Sequence, residues 1–113
     1  MQQGRWAQAE SHLLQVLASE PEDTQALRLL GTVYHLSERG PQALVQLEKA
    51  HELDPHNLST LLNLGSVYLS AGRSSAAEQC FEKVIEIDPT SADGHFNLGL
   101  AMQDADVLNH WCL

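Results

Sequence analysis

Three glycines at a constant interval constrain the fold of this chain more than any other feature of its sequence. Gly31, Gly65 and Gly99 are 34 residues apart (65 − 31 and 99 − 65). Three prolines keep the same interval, namely Pro21, Pro55 and Pro89. A period of this length is typical of stacked repeat proteins, in which each unit packs on its neighbours and buries surface along the stack.

The residues around these glycines predict helices. Residues 27–34 recur as residues 61–68, and a weaker copy lies at 95–99. In the first two copies, two leucines and a tyrosine fall at i, i+3 and i+7, which is one face of a helix. Because glycine within a helix costs roughly 1 kcal/mol relative to alanine, its recurrence at Gly31 and Gly65 predicts close packing of a neighbouring helix.

Capping residues and prolines divide the chain into six predicted helices, and no strand pattern competes with them. The predicted starts of helices are at Asp23, Asn57 and Ser91 as N-caps and at Gly40-Pro41 and Ser74-Ser75, with Pro41 at the first helical position. The predicted ends are at Asp54-Pro55 and Asp88-Pro89. The helices are expected near residues 5–19, 24–37, 41–53, 58–71, 75–87 and 92–104.

A 34-residue helix pair with this pattern resembles the tetratricopeptide repeat (TPR). The matching residues are Leu30, Gly31, Tyr34, Ala43, Leu47, Ala50 and Pro55 in one unit, and Leu64, Gly65, Tyr68, Ala77, Phe81, Val84 and Pro89 in the next. The resemblance implies an all-α fold, a right-handed α-solenoid of about six helices in helix-turn-helix TPR units. It implies a TPR array over 1–106, with a partial repeat at 1–23, full repeats at 24–57 and 58–91, and a partial repeat at 92–106.

The pattern departs from the family at both ends. Gly4-Arg5 corresponds to Gly72-Arg73 (4 + 68 = 72), which places the chain start in a turn and leaves the first repeat without its first helix. Asp106 stands where the pattern has glycine, and residues 107–113 form an aberrant tail. We therefore expect a fragment of a longer TPR array.

Composition argues against several classes of partner. The 15 acidic and 6 basic side chains give a formal net charge of −9, which is the wrong sign for nucleic acid or anionic lipid. No apolar run approaches the ~18 residues that a membrane-spanning helix needs. Cys80 and Cys112 form no CxxC pair and are too few for a disulfide framework, which favours a reducing compartment and predicts cytoplasmic localisation.

In the TPR family the first helices of successive units line a concave groove, and the resemblance places peptide binding there. The projected binding residues are Arg28, Thr32, His35, Leu62, Asn63, Ser66, Phe96, Asn97 and Leu100. Asn63 and Asn97 each stand two residues before a repeat glycine, where groove-binding relatives hold a peptide backbone with asparagine amides. The alternative interpretation is that both are solvated polar residues on a helix.

A chaperone-type clamp for a C-terminal carboxylate is only partly present. It would need basic residues at the positions of Arg28, Asp93 and Asn97, and asparagines at those of Thr32 and Asn63. Arg28 and Asn63 match, but Asp93 would repel the carboxylate. The sequence therefore disfavours binding of a chaperone tail.

No catalytic residue, cofactor or metal site is predicted. The chain has no glycine-rich phosphate loop and no nucleophile elbow, and an open groove would exclude water poorly. No pair of the six histidines has the i, i+4 spacing with an intervening carboxylate that a helical metal site uses.

The predicted second helices carry an acidic stripe of five glutamates, which are Glu48, Glu52, Glu78, Glu82 and Glu86. The stripe is explained either by a solvated convex face that keeps the array soluble or by a basic partner.

These observations leave three hypotheses. The first is a protein–protein interaction module, not an enzyme, that binds an extended or helical peptide in the groove in a scaffold or adaptor role. The second is an accessory TPR segment of a larger enzyme, of glycosyltransferase, sulfotransferase or hydroxylase type, that selects its substrates. The third is end-to-end self-association, because helices 5–19 and 92–104 each lack a stacking neighbour.

Overall fold

The computed structural model describes residues 2–111, and the side chains of residues 4–103 within that range. It consists of six α-helices, which are α1 (Gln2–Ser19), α2 (Thr24–Leu36), α3 (Gly40–Leu53), α4 (Leu58–Ser70), α5 (Ser74–Ile87) and α6 (Ala92–Trp111). No strand occurs in the described range. The predicted all-α fold is therefore confirmed.

Side-chain caps begin the helices α2, α4 and α6, as predicted. Asp23, Asn57 and Ser91 each accept a 3.0 Å hydrogen bond from the backbone N–H three residues ahead. Each bond satisfies one of the amides that the first turn of a helix leaves unpaired. Asp54 and Asp88 end α3 and α5, also as predicted.

Three details of the predicted helix ends were wrong. Pro41 is the second residue of α3 and not the first. Gly4 lies inside α1, whereas its counterpart Gly72 has a φ of +77° in the turn after α4; no helix precedes Gly4 in the described range to require such a turn. Helix α6 continues past its predicted end at residue 104, because Asp106 replaces the glycine that terminates α4.

The repeat glycines let the two helices of each pair approach closely, as predicted. A Cβ atom at Gly31 would lie 2.5 Å from Cγ of Leu47, and one at Gly65 would lie 2.6 Å from two ring carbons of Phe81. Leu47 and Phe81 are both completely buried. Each second helix therefore inserts one large apolar side chain against a glycine of its first helix.

The first helices α2, α4 and α6 form one continuous layer of the stack. Cα atoms of α2 and α4, and of α4 and α6, come within 8 Å of each other, whereas those of α1, α3 and α5 do not approach one another that closely among the described residues. Successive helices are thus closer together on the side of α2, α4 and α6, so the stack curves toward that side. This concave surface is the groove that the sequence projection assigned to binding.

Candidate peptide-binding groove

The projected binding residues lie in rows across α2, α4 and α6. One row contains Arg28, Leu62 and Phe96, a second contains Asn63 and Asn97, and a third contains Thr32, Ser66 and Leu100, with His35 one turn beyond Thr32. None of the nine is buried, and the most exposed are Phe96 at 67% and Leu100 at 38%. The surface therefore offers both polar and apolar side chains to solvent.

A hydrogen-bond chain connects α2 and α4 at the centre of the groove. Nδ2 of Asn63 donates to Oγ1 of Thr32 at 3.0 Å, and that hydroxyl donates in turn to the carbonyl of Arg28 at 3.0 Å. These bonds fix the orientation of the Asn63 amide. They leave its Oδ1 acceptor and one of its two N–H donors without a bond among the described residues.

Asn97 stands at the equivalent position of α6 but is not held in the same way. The residue equivalent to Thr32 is Ser66. Its hydroxyl donates to the carbonyl of Leu62 at 2.9 Å, as the Thr32 hydroxyl donates to that of Arg28, but it accepts no bond from Asn97. The Asn97 amide makes no hydrogen bond to the rest of the described chain. The two asparagines therefore share a register but differ in preorganisation.

Apolar surface is concentrated at the α6 end of the groove. Phe96 and Leu100 are one helical turn apart on α6, so their side chains are neighbours on one face. Leu62 is half-buried and packs against the core cluster of Ala77 and Phe81. It can therefore offer only part of its surface to a ligand, and the main apolar contact falls to Phe96 and Leu100.

Opposite charges stand at the two ends of the groove. The half-buried Arg28 lies on α2, and the exposed Asp93 lies in the first turn of α6. A carboxylate in that turn is favoured by the helix dipole, which gives Asp93 a structural role in addition to any role in binding. The groove consequently presents a basic end at α2 and an acidic end at α6.

A crevice of about 590 Å³ beside the groove was missed from the sequence. It lies between the α2–α3 turn and the end of α4, and its lining residues include His35, Leu36, Pro41, Val67, Ser70 and Ala71. Leu36 is 53% exposed there. The sequence offers one sign of the crevice, which is the apolar Leu36 at the end of a predicted helix. The crevice itself could not be predicted, because its existence depends on the distance between the α2–α3 turn and α4.

Two further features were not found among the described residues. No group of three or more histidine, cysteine, aspartate and glutamate side chains in this part of the chain could hold a metal ion. No helix within it is long and apolar enough to cross a membrane.

The stacked helix pairs and the open groove define the class of a helical repeat protein. Two family models, both described as tetratricopeptide repeat, match residues 22–90 and 80–109. The chain belongs to the tetratricopeptide repeat family, whose fold serves mainly as a scaffold for protein interactions. No curated protein sequence gives a significant match.

Solved structures share the fold at low sequence identity. The first TPR domain of Spaghetti (RPAP3), bound to the HSP90 peptide SRMEEVD, has a TM-score of 0.87 at 15% identity, over 93% of this chain and 83% of that one. The Sgt2 TPR domain from Aspergillus fumigatus has a TM-score of 0.88 at 20% identity, over 97% and 74%. A mutant Thermobaculum terrenum O-GlcNAc transferase has a TM-score of 0.78 at 28% identity, over 82% of this chain and 18% of that one.

Proposed function

We propose that this chain is a scaffold or adaptor module that binds an extended or helical peptide of a partner protein in its concave groove, and that it acts in the cytoplasm. The observation that carries the proposal is the Asn63 amide, which Thr32 holds in place while one donor and the acceptor stay free. A peptide bond needs that pair of groups, whatever its side chains. The similar Spaghetti domain is bound to a peptide, so the fold can accommodate one.

Apolar contact at the α6 end would supply the remaining affinity. Phe96 and Leu100 are exposed neighbours that an apolar side chain of the peptide would cover. Burying apolar surface contributes about 25 cal/mol per Å², and a fixed amide adds direction more than strength. The apolar residues therefore select an anchor on the peptide, and the asparagines orient its backbone.

The charges at the groove ends favour one peptide orientation. Arg28 would attract an acidic group at the α2 end, and Asp93 would attract a basic group at the α6 end. We therefore expect peptides with an internal apolar residue, an acidic group on the α2 side and a basic group on the α6 side. A peptide that must place its terminal carboxylate beside Asp93 should bind poorly.

Peptide capture tests the proposal. Peptides are selected on the chain from a phage-displayed library of random linear sequences, and the affinity of one selected peptide is then measured by fluorescence polarisation. The double variant Asn63→Ala/Asn97→Ala should bind roughly thirtyfold more weakly, since two lost hydrogen bonds at about 1 kcal/mol each total about 2 kcal/mol and a factor of ten corresponds to ~1.4 kcal/mol. Phe96→Ala should lose at least as much.

Matched controls lie on the opposite surface. Val45 on α3 is 63% exposed, close to the exposure of Phe96, and Gln79 is an exposed amide on α5. Val45→Ala and Gln79→Ala should leave the affinity unchanged. The groove is not the binding surface if the double variant and Phe96→Ala bind as the parent does while their circular dichroism stays that of the parent.

One comparison favours a second function, that of an accessory segment in a larger enzyme. The Thermobaculum enzyme is 28% identical to this chain, which spans only 18% of it. In that role the same groove would select substrates for a catalytic domain on the same polypeptide. The transcript around this segment decides between the two: a catalytic domain in frame supports the accessory role, and further repeats or a stop codon oppose it.

A further inference from the structure

We propose that the crevice between the α2–α3 turn and the end of α4 binds a lysine or arginine side chain of the partner peptide. The crevice adjoins the groove, because His35 belongs to the lining of both. The proposal rests on peptide binding for the source of that side chain. It adds a contact that the asparagines and the apolar residues of the groove do not make.

The walls of the crevice suit the apolar stem of a long basic side chain. Leu36, Pro41 and Val67 line it, and Leu36 is 53% exposed. Its volume of about 590 Å³ lies within the range of about 300–1,000 Å³ that is common for ligand sites. Lysine and arginine cover apolar surface with their methylene groups while the charged end stays in water. The crevice can therefore cover the stem and leave the charge at its rim.

The lining also contains a carboxylate that has no partner within the described chain. The exposed Glu38 lines the crevice, and its side chain makes no hydrogen bond or ion pair with another described residue. The guanidinium of the neighbouring Arg39 is engaged elsewhere, since it pairs with Glu10 at 3.0 Å and lies 4.6 Å above the Tyr34 ring. The Glu38 carboxylate is thus open to a cation from a partner.

Two helix ends add negative potential at the same place. Helix α2 ends at Leu36 and α4 ends at Ser70, and both residues line the crevice. The carboxyl end of a helix carries about half an elementary negative charge and favours a nearby cation. His35 is the basic residue in the last turn of α2, and the described last turn of α4 has none. The charge at the rim therefore selects a basic side chain over an acidic one.

The backbone of Glu38 indicates that this carboxylate is present at a cost in stability. Its φ is 64°, and Gly72 occupies the same repeat position with a φ of 77°. Residues other than glycine are unfavourable in this conformation, and those that adopt it are concentrated at functional sites. Glycine at this position would remove the strain and the charge together. Stability and binding should therefore change in opposite directions in Glu38→Gly.

Double-mutant cycles between the chain and a peptide test the proposal. One peptide is selected on the chain from the phage-displayed library, and each of its arginines and lysines is replaced in turn by norleucine, which keeps an apolar stem and removes the charge. Affinities are measured by fluorescence polarisation. At one position the replacement should weaken binding to the parent about two- to fivefold more than binding to Glu38→Gln, as for a solvent-exposed ion pair. This difference should shrink at high salt.

Asp93→Asn is the matched control, because Asp93 is also an exposed carboxylate of the groove. It should leave the coupling with Glu38 unchanged. Glu38→Gly should bind the peptide more weakly while urea denaturation shows it to be at least as stable as the parent, which excludes unfolding as the cause. The proposal is overturned if no basic position of the peptide couples with Glu38, or if the same position couples with Asp93 instead.

The groove and the crevice can fail separately in these measurements. If Asn63→Ala/Asn97→Ala and Phe96→Ala weaken binding but the Glu38 variants do not, peptide binding in the groove stands and the crevice proposal falls. The reverse result supports the crevice and contradicts the groove.

A direct titration covers the case that the library yields no binder. N-acetyl-arginine amide is added to the isotope-labelled chain, and backbone amide signals are followed by NMR. Signals of residues 35–40 and 67–71 should shift in the parent and shift less in Glu38→Gln. The absence of these shifts, or equal shifts in the two chains, would overturn the proposal.

Discussion

The backbone of Glu38 adopts a left-handed conformation in the turn between α2 and α3. Its φ is 64°, and the residue at the same repeat position in the next turn is Gly72, with a φ of 77° (72 − 38 = 34). A side chain in this conformation costs roughly 1–2 kcal/mol, which glycine avoids. Glu38→Gly should therefore stabilise the chain by about 0.5–1 kcal/mol, because the added freedom of the unfolded chain offsets part of the gain.

Urea denaturation checks this prediction, and two variants control it. Glu38→Ala removes the carboxylate but keeps a Cβ atom, so it should give little of the gain. Gly72→Ala should have the opposite sign and cost about 1 kcal/mol, since it introduces the same strain into the other turn. Equal stability of Glu38→Gly and Glu38→Ala would contradict the prediction that the left-handed backbone of Glu38 is strained.

Individual contacts in the groove were harder to predict than individual positions. The 3.6-residue period was enough to project Asn63 and Asn97 onto the first helices. The bond from Asn63 to Thr32 could not be derived from it, because that bond depends on the distance between α2 and α4. The hydroxyls of Thr32 and Ser66 each bond to the carbonyl four residues earlier, yet only Thr32 accepts a bond from an asparagine, so the difference at Asn97 could not be derived from the residue types.

At the scale of helices, the sequence predicted all six elements, because capping residues and apolar periodicity agree in the middle repeats. It was least accurate at the two ends of the described range. Gly4 was assigned to a turn by analogy with Gly72, but α1 begins at Gln2 and includes Gly4. The end of α6 was misplaced because Asp106 does not supply a helix-terminating glycine.

Glycine-to-alanine substitutions should distinguish filled from open helix faces. In Gly65→Ala the new Cβ would lie 2.6 Å from the Phe81 ring, and overpacking of this kind costs about 1–3 kcal/mol, more than the ~1 kcal/mol gained in helix propensity. In Gly99→Ala only that gain remains, because no described atom lies within 4 Å. The first variant should be less stable than the parent and the second more stable.

The comparison is made by thermal and urea denaturation under conditions in which the chain is monomeric, so that assembly does not alter the apparent stability. Gly31→Ala is the matched repeat of Gly65→Ala, since its Cβ would lie 2.5 Å from Leu47. It should be destabilising as well, though less so if the flexible leucine moves aside. Destabilisation by Gly99→Ala would mean that α6 is already covered within one chain.

At the scale of the whole molecule, the core is a series of contacts between neighbouring helices, and ionisable side chains are part of it. Cys80 is 8% exposed, and Tyr34 is 7% exposed. Burial raises the pKa of the Cys80 thiol from 9.0 to about 11. Burial also raises the pKa of Tyr34 and of Tyr68, with the neighbouring carboxylates of Glu10 and Glu48 acting in the same direction.

These shifts predict that the chain loses stability at alkaline pH. Between pH 9 and 11 the Cys80 thiol keeps its proton in the folded state and loses it in the unfolded state, so rising pH favours unfolding. The stabilisation is complete below pH 9 and is lost by about pH 11, at up to ~1.4 kcal/mol per pH unit. Urea denaturation of a Cys112→Ser parent should show this fall, and Cys80→Ala in the same background should be less stable near neutral pH but flatter above pH 9. Parallel pH profiles for the two chains would assign the alkaline loss to the tyrosines and the net negative charge instead of to Cys80.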